Sequence, residues 1–202
     1  TVDWVPASIN MPLREGDRIW VPEDWTAELQ TKDLSYLRLA DRSALEILTL
    51  DSDSYQTYLT EGRLYVYFRG NRDSLLQIDT STSSVRAYER SKFNVDVPER
   101  GPVNVSVIQG EVDVENRDGR IKVASGEMLS LGEGAYSEKS TLGAPDEWER
   151  WNWDRDREIA ERRPPSRYLP EELHPYSNDF YDNGRWVHTP DYGYVWTPTV
   201  SV

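Results

Sequence analysis

The 202-residue chain contains no cysteine and only two histidines, His174 and His188. Without cysteine there is no disulfide framework, no thiol nucleophile and no thiolate metal site. That absence fits the cytosol and a bacterial periplasm equally well. Neither H-E-x-x-H nor G-x-S-x-G occurs, so the commonest metalloprotease and serine-hydrolase signatures are missing. No run of about 18 apolar residues is present, which excludes a membrane-spanning helix in this sequence. Positive charge is scarce: 23 Lys and Arg stand against 36 Asp and Glu, a net charge of −13. A nucleic-acid binder needs a basic face to displace counterions from phosphates, so no nucleic-acid partner is expected. Anionic membrane surfaces are disfavoured for the same reason. The first residue is Thr1, not Met, which reads as a removed leader or an excised segment.

Rings are what the chain has in excess, 8 Trp and 12 Tyr. Disordered chains are poor in aromatics, so a folded chain with a core partly built of rings is expected. The length allows one domain, or one domain with an appendage. The strongest pattern lies at 104–131, NVSVIQGEVDVENRDGRIKVASGEMLSL. Val105 and Val107, then Val112 and Val114, then Ile121 and Val123 alternate with polar residues, the period of half-buried strands. Asp118-Gly119 suits a type I′ hairpin turn, whose central residues need positive φ.

Gln109-Gly110-Glu111-Val112 repeats a pattern seen earlier at Glu15-Gly16-Asp17-Arg18-Ile19 and at Glu61-Gly62-Arg63-Leu64-Tyr65. The three glycines lie 46 and 48 residues apart, and a second short strand follows each, at 36–39, 75–78 and 121–123. This weak repeat predicts stacked or wrapped β units. The glycines are expected at bends or bulges where a side chain would clash. Further strands are predicted at 44–50, 84–88 and 92–97, with a loop at 98–102. Residues 1–131 thus read as one β domain, with 1–13 as an extended lead-in.

Residues 132–144 are small and polar and read as a linker. Pro145-Asp146-Glu147 then opens a helix predicted over 145–163, since proline fits the first turn and acids suit the positive end of the dipole. Trp148, Trp151, Arg155 and Ile159 are its expected buried stripe. Arg150–Asp154 and Glu158–Arg162 are its expected i,i+4 pairs, and Pro164-Pro165 ends it. The tail, 164–202, is rich in Pro, Tyr and Trp, and 184–196 predicts a small hairpin turning at Pro190–Gly193. The expected fold class is mainly β. It is a solenoid-like or twisted antiparallel β-sandwich, followed by one α-helix and an aromatic-rich irregular tail that packs on the β domain.

Four tail rings, Trp186, Tyr192, Tyr194 and Trp196, are the candidate ligand-binding residues. As a stacking platform they would take a glycan or a peptide. As core they would wedge against Trp148 and Trp151, and the energetics favours this. Four rings of ~200 Å² buried at ~25 cal/mol/Å² give up to ~20 kcal/mol gross. A short Pro-rich segment needs a term of that size to stay ordered. His188 reads as a packing residue in the hairpin. Asp51-Ser52-Asp53-Ser54 offers oxygens for Ca²⁺ but lacks the glycine and distal Glu of an EF-hand, and reads as a solvated turn. Arg14, Arg38 and the helix arginines read as surface charges. No catalytic residue, metal or other cofactor is assigned.

Residues 13–131 resemble the FecR-like domain of bacterial envelope proteins. The carriers are Leu13-x-x-Gly16-Asp17-x-Ile19, Leu37-x-Leu39, Gly62-x-Leu64-Tyr65-Val66, Ile78-Asp79-Thr80, Phe93-x-Val95 and Val105-x-Val107-x-x-Gly110-x-Val112-x-Val114. Residues 145–198 are similar to the Trp/Tyr-rich region that follows this domain in a group of uncharacterised secreted or lipid-anchored proteins. There the markers are Asp146-Glu147-Trp148-x-x-Trp151-Asn152, Tyr168-Leu169-Pro170-Glu171-Glu172-Leu173, Gly184-Arg185-Trp186 and Tyr192-Gly193-Tyr194-Val195-Trp196. The resemblance implies an extracytoplasmic place, in the periplasm or at the cell surface, and no catalysis. It implies a partner that is another envelope protein, met through β-augmentation at a sheet edge, or else a cell-wall glycan. The anti-sigma segment, membrane span and terminal signalling module of FecR-type sigma regulators have no counterpart in the residues read here.

Overall fold

The computed structural model describes residues 4–70, 73–132, 137–161 and 167–199. By its packing the chain divides into two units, Thr1–Leu29 with Ser35–Ala144, and Gln30–Leu34 with Pro145–Val202.

The first unit is a curled β structure, with thirteen strands among the described residues. They are β1 (Arg18–Val21), β2 (Ala27–Gln30), β3 (Tyr36–Leu39), β4 (Ser43–Leu50), β5 (Ser54–Phe68), β6 (Leu75–Asp79), β7 (Ser84–Ala87), β8 (Ser91–Val97), β9 (Val103–Gln109), β10 (Glu111–Asn116), β11 (Gly119–Ala124), β12 (Glu127–Leu131) and β13 (Ser137–Thr141). One sheet runs β1-β4-β5-β6-β7-β10-β11 and the other β2-β3-β5-β8-β9-β12-β13. Strand β5 belongs to both. Its first half pairs with β4 and β6, its second with β3 and β8.

The burial pattern of β5 explains the sharing. Tyr55, Thr57 and Leu59 are buried in the first half, and Leu64, Val66 and Phe68 in the second. The inward set switches from odd to even numbers, because an extra residue is inserted where Ala44 faces Glu61 but Leu45 faces Leu59. Such a bulge bends a strand, so both halves face one core. That core joins Leu37, Leu39, Leu45, Ile47, Leu59, Leu64, Val66, Phe68, Ile78, Val85, Phe93, Val95, Val105, Val107, Val112, Val114, Val123 and Leu129. Pair β5–β6 is parallel, unlike the antiparallel ladders on either side of it. A parallel connection needs a crossover of about a dozen residues, and the second half of β5 supplies most of it.

The three predicted glycines have φ values of +86° at Gly16, +93° at Gly62 and +79° at Gly110. At Gly62 an added Cβ would lie 2.5 Å from the Ser43 Cα, and at Gly110 it would lie 2.7 Å from the Arg90 carbonyl oxygen. Both sit where the chain passes from one sheet to the other, so the wrapped reading has a structural basis. The turn at 116–119 differs from expectation. Asn116 pairs with Gly119, so Arg117 and Asp118 are its central residues. The positive φ of +131° falls at Gly119, and the Asn116 side chain accepts the Asp118 N–H at 2.9 Å. The turn is held by an Asx bond rather than by type I′ geometry.

Three strand segments had no clear forecast: β2, the first half of β5, and β13. The last corrects the linker, since Ser137–Thr141 pairs antiparallel with β12 throughout. It carries no apolar residue, so it had no pattern to read.

In the second unit, helix α1 runs Glu147–Glu161. Asp146 accepts the Glu149 N–H at 2.8 Å and Glu149 accepts the Asp146 N–H at 2.9 Å, a reciprocal capping box. The buried residues are Asn152, Asp156 and Ile159. The stripe therefore runs one position away from the predicted Trp151 and Arg155, and Trp151 is exposed. The expected i,i+4 pair Arg150–Asp154 is replaced. Arg157 bonds Asp154 and Arg155 bonds Glu158, both i,i+3, while Arg150 donates to the Pro145 carbonyl. Arg162 and Pro164-Pro165 lie outside the described residues. A 3₁₀ segment, Glu171–Tyr176, leads into helix α2, Ser177–Asn183, and the predicted hairpin follows as β14 (Gly184–Thr189) and β15 (Gly193–Pro198).

Candidate interaction surfaces

The hairpin register sets Trp186 opposite Trp196 and His188 opposite Tyr194. Side chains alternate across a strand, so all four rings share one face. That face is covered from within its own unit. Tyr168 stacks on Tyr194 with centroids 3.8 Å apart and 15° between planes, and leans on Trp186 at 5.8 Å. Phe180 of α2 meets Trp196 edge-on at 5.2 Å, and the Trp196 indole N–H donates to the Phe180 carbonyl at 2.9 Å. Gly184 makes room, since a Cβ there would lie 2.4 Å from the Trp196 ring. His188 packs edge-on against Tyr194 at 5.0 Å, as its hairpin position suggested.

Of the four candidate rings, the fold brings Trp186, Tyr194 and Trp196 together and leaves Tyr192 apart. Tyr192 sits at the turn, 82% exposed, while Tyr194 is 44% exposed. The expected wedge against the helix tryptophans is corrected. Among the described residues no hairpin ring touches Trp148 or Trp151, which stack on each other at 5.2 Å. The covering rings, Tyr168 and Phe180, come from segments whose distance along the chain hid the pairing.

Tyr168 and Tyr194 also share a hydroxyl–hydroxyl bond. It holds Tyr168 below the ordinary tyrosine range, with help from Arg167, and pushes Tyr194 above it. Arg167 donates to the Tyr168 hydroxyl at 2.5 Å and lies 4.8 Å over its ring. Among the described residues no cluster of three or more His, Asp or Glu is arranged for a metal ion. Asp51–Ser54 closes the β4–β5 connection as a turn, with the Asp51 N–H bonded to the Ser54 carbonyl at 2.9 Å.

Arg38 is not a surface charge. It lies on the face of β3 opposite the core residues Leu37 and Leu39, yet its side chain is 0% exposed. Its Nε donates to Glu28 of β2 at 2.7 Å, and its guanidinium lies 5.6 Å from the Tyr36 ring and 5.4 Å from the Tyr65 ring. Charge pairing and two ring faces replace the water it gives up.

Among the described residues the end strands are β1 and β11 in one sheet, β2 and β13 in the other. In β11, Arg120 lies near Asp113 and Glu115 of β10, and Lys122 pairs with Glu111 at 2.5 Å. The Glu127 carboxylate accepts the Ala124 N–H at 2.8 Å and pairs with Lys139 of β13, also at 2.8 Å.

Residues 17–113 match the family described as FecR protein. The fold is similar to a 1.65 Å crystal structure described as "a putative anti-sigma factor from Parabacteroides distasonis ATCC 8503". That likeness has a TM-score of 0.60 at 15% identity, over 91% of this chain and 100% of that one. A 2.50 Å structure of the same description gives 0.59 at 13% identity, over 91% and 99%. The likeness of fold thus extends beyond the residues of the family match. No curated protein sequence matches the chain. None of the described helices is long and apolar enough to cross a membrane.

Proposed function

We propose, from the premise that residues 17–113 are a FecR domain, that this chain is a non-enzymatic binding or sensing module acting outside the cytoplasm through contact with another protein. The Trp/Tyr-rich region over 145–198 is its companion module. The observation that carries the reading is that, among the described residues, β11 and β13 each end a sheet with a single neighbouring strand. An open edge offers unpaired backbone groups, to which an extended partner segment adds as a further strand. Photoreactive residues at Lys122 on edge strand β11 and at Lys139 on edge strand β13, with another at Tyr192, test it in the native envelope. Protein adducts from either edge strand, with the chain in the extracytoplasmic fraction, are expected. Recovery in the cytoplasm, or adducts from Tyr192 alone, overturns it.

A second reading, glycan or cell-wall binding through Trp186, Tyr192, Tyr194 and Trp196, draws on the exposure of Tyr192 and Tyr194. Soluble cell-wall fragments that quench tryptophan emission in the wild type but not in a Trp186→Phe variant would favour it. The occupied faces of Tyr194 and Trp196 weigh against it.

A further inference from the structure

We propose that β11 is the docking edge, and that it takes an extended partner segment in which apolar residues alternate with carboxylates. This rests on the protein-binding reading above and names its surface. The phase of the β10–β11 ladder decides which backbone groups are available. The Ser125 N–H donates to the Gly110 carbonyl at 2.9 Å, in the same register that pairs Val112 with Val123 and Val114 with Ile121. Hydrogen-bonded and non-hydrogen-bonded pairs alternate along an antiparallel ladder. Ile121 and Val123 therefore bond β10, while Arg120, Lys122 and Ala124 turn their N–H and C=O groups outward. The Ala124 bond to Glu127 agrees, because that N–H is not used by β10.

Glu127 thus stands where a partner's carbonyl would stand, as a stopper on one end of the row. The Arg120 and Lys122 N–H groups point the same way as that of Ala124, away from β10. Beside them Ile121 is only partly buried against the core, so an apolar residue of an added strand would complete its cover. On the other face the Arg120 and Lys122 side chains, 55% and 60% exposed, lie between the β10 carboxylates and the edge, so a carboxylate on an added strand would share their remaining donors. β10 shows which side chains suit this neighbour: it sets Asp113 against Lys122 and Glu115 against Arg120, with valines between. By contrast β13 reads Ser-Glu-Lys-Ser-Thr and offers no apolar contact. A second copy of β11 would set Arg120 and Lys122 against their own kind.

The test is a titration of the ¹⁵N-labelled full chain with a blocked synthetic peptide of the sequence 111–116. Amide shifts are expected at Arg120, Lys122 and Ala124. In Glu127→Ala they should saturate at roughly threefold to tenfold lower peptide concentration, the worth of one hydrogen bond removed from competition. Lys122→Pro should abolish them with the spectrum otherwise retained, since that N–H is outside the β10 ladder. Lys122→Glu, which keeps the backbone intact, should weaken them. Shifts centred on 137–141 or on the β14–β15 hairpin would overturn the assignment to β11 and leave the protein-binding reading standing. No shift in either wild type or Glu127→Ala overturns it outright. So does self-association of Glu127→Ala without peptide, which would make a second copy the occupant. Failure of the broader reading shows separately, in the envelope crosslinks.

Discussion

The Arg38 Nε donates to the Glu28 carboxylate at 2.7 Å from a side chain with no exposure of its own. Removing the Glu28 charge weakens the hydrogen bonding of a fully buried guanidinium, at a cost of about 1–3 kcal/mol. Glu28→Gln is therefore expected to lower the urea midpoint clearly. Arg38→Met, similar in length and without charge, should cost less than Glu28→Gln. Equal losses would show that packing rather than charge governs the site.

Glycines at 62 and 16 share positive φ but not surroundings. A Cβ at Gly62 would strike Ser43, whereas nothing lies within 4 Å of one at Gly16. Gly16→Ala should cost about 1 kcal/mol for conformation alone. Gly62→Ala adds overpacking and should cost on the order of 3 kcal/mol. Chemical denaturation of the two variants measures the difference.

Hydrogen bonding from the Ala124 N–H, then from Lys139, holds the Glu127 carboxyl below its ordinary value of 4.5. A depressed carboxyl contributes stability that is fully present above the unfolded value and is lost as pH falls through the folded one. Glu127→Gln should therefore be less stable than wild type at neutral pH. The gap should close below the ordinary carboxylate range. Urea midpoints across that interval give the sign, and a gap independent of pH would exclude the linkage.

Ultraviolet titration separates the two stacked tyrosines. In Tyr168→Phe the phenolate absorbance that rises earliest should disappear. Tyr194 should then ionise at lower pH than before, because the hydroxyl bond that raises it is gone. An unchanged profile would mean that the two hydroxyls do not bond in solution.

The indole N–H bond of Trp196 to Phe180 predicts a shielded fluorophore. The difference emission between wild type and Trp196→Phe should be blue-shifted and poorly quenched by acrylamide. Free quenching would place that ring in water and revive the glycan platform.

Local alternation was enough to read most strands of the β domain, the Gly62 and Gly110 corners and the terminal hairpin. Each depends on the period of a strand or on the backbone freedom of one residue. The first half of β5 escaped because Thr57 occupies a core position, and β13 because all five of its residues are polar. What only the tertiary structure decided was which surfaces meet. Arg38 has the same sequence signature whether it faces water or lies between Tyr36 and Tyr65. The cover of Tyr168 over Tyr194, the odd-to-even switch in β5 and the outward phase of Arg120, Lys122 and Ala124 depend on strands and segments distant along the chain. Burial of a charge, stacking of a ring and the direction of an edge N–H are properties of pairs, and a sequence specifies its residues one at a time.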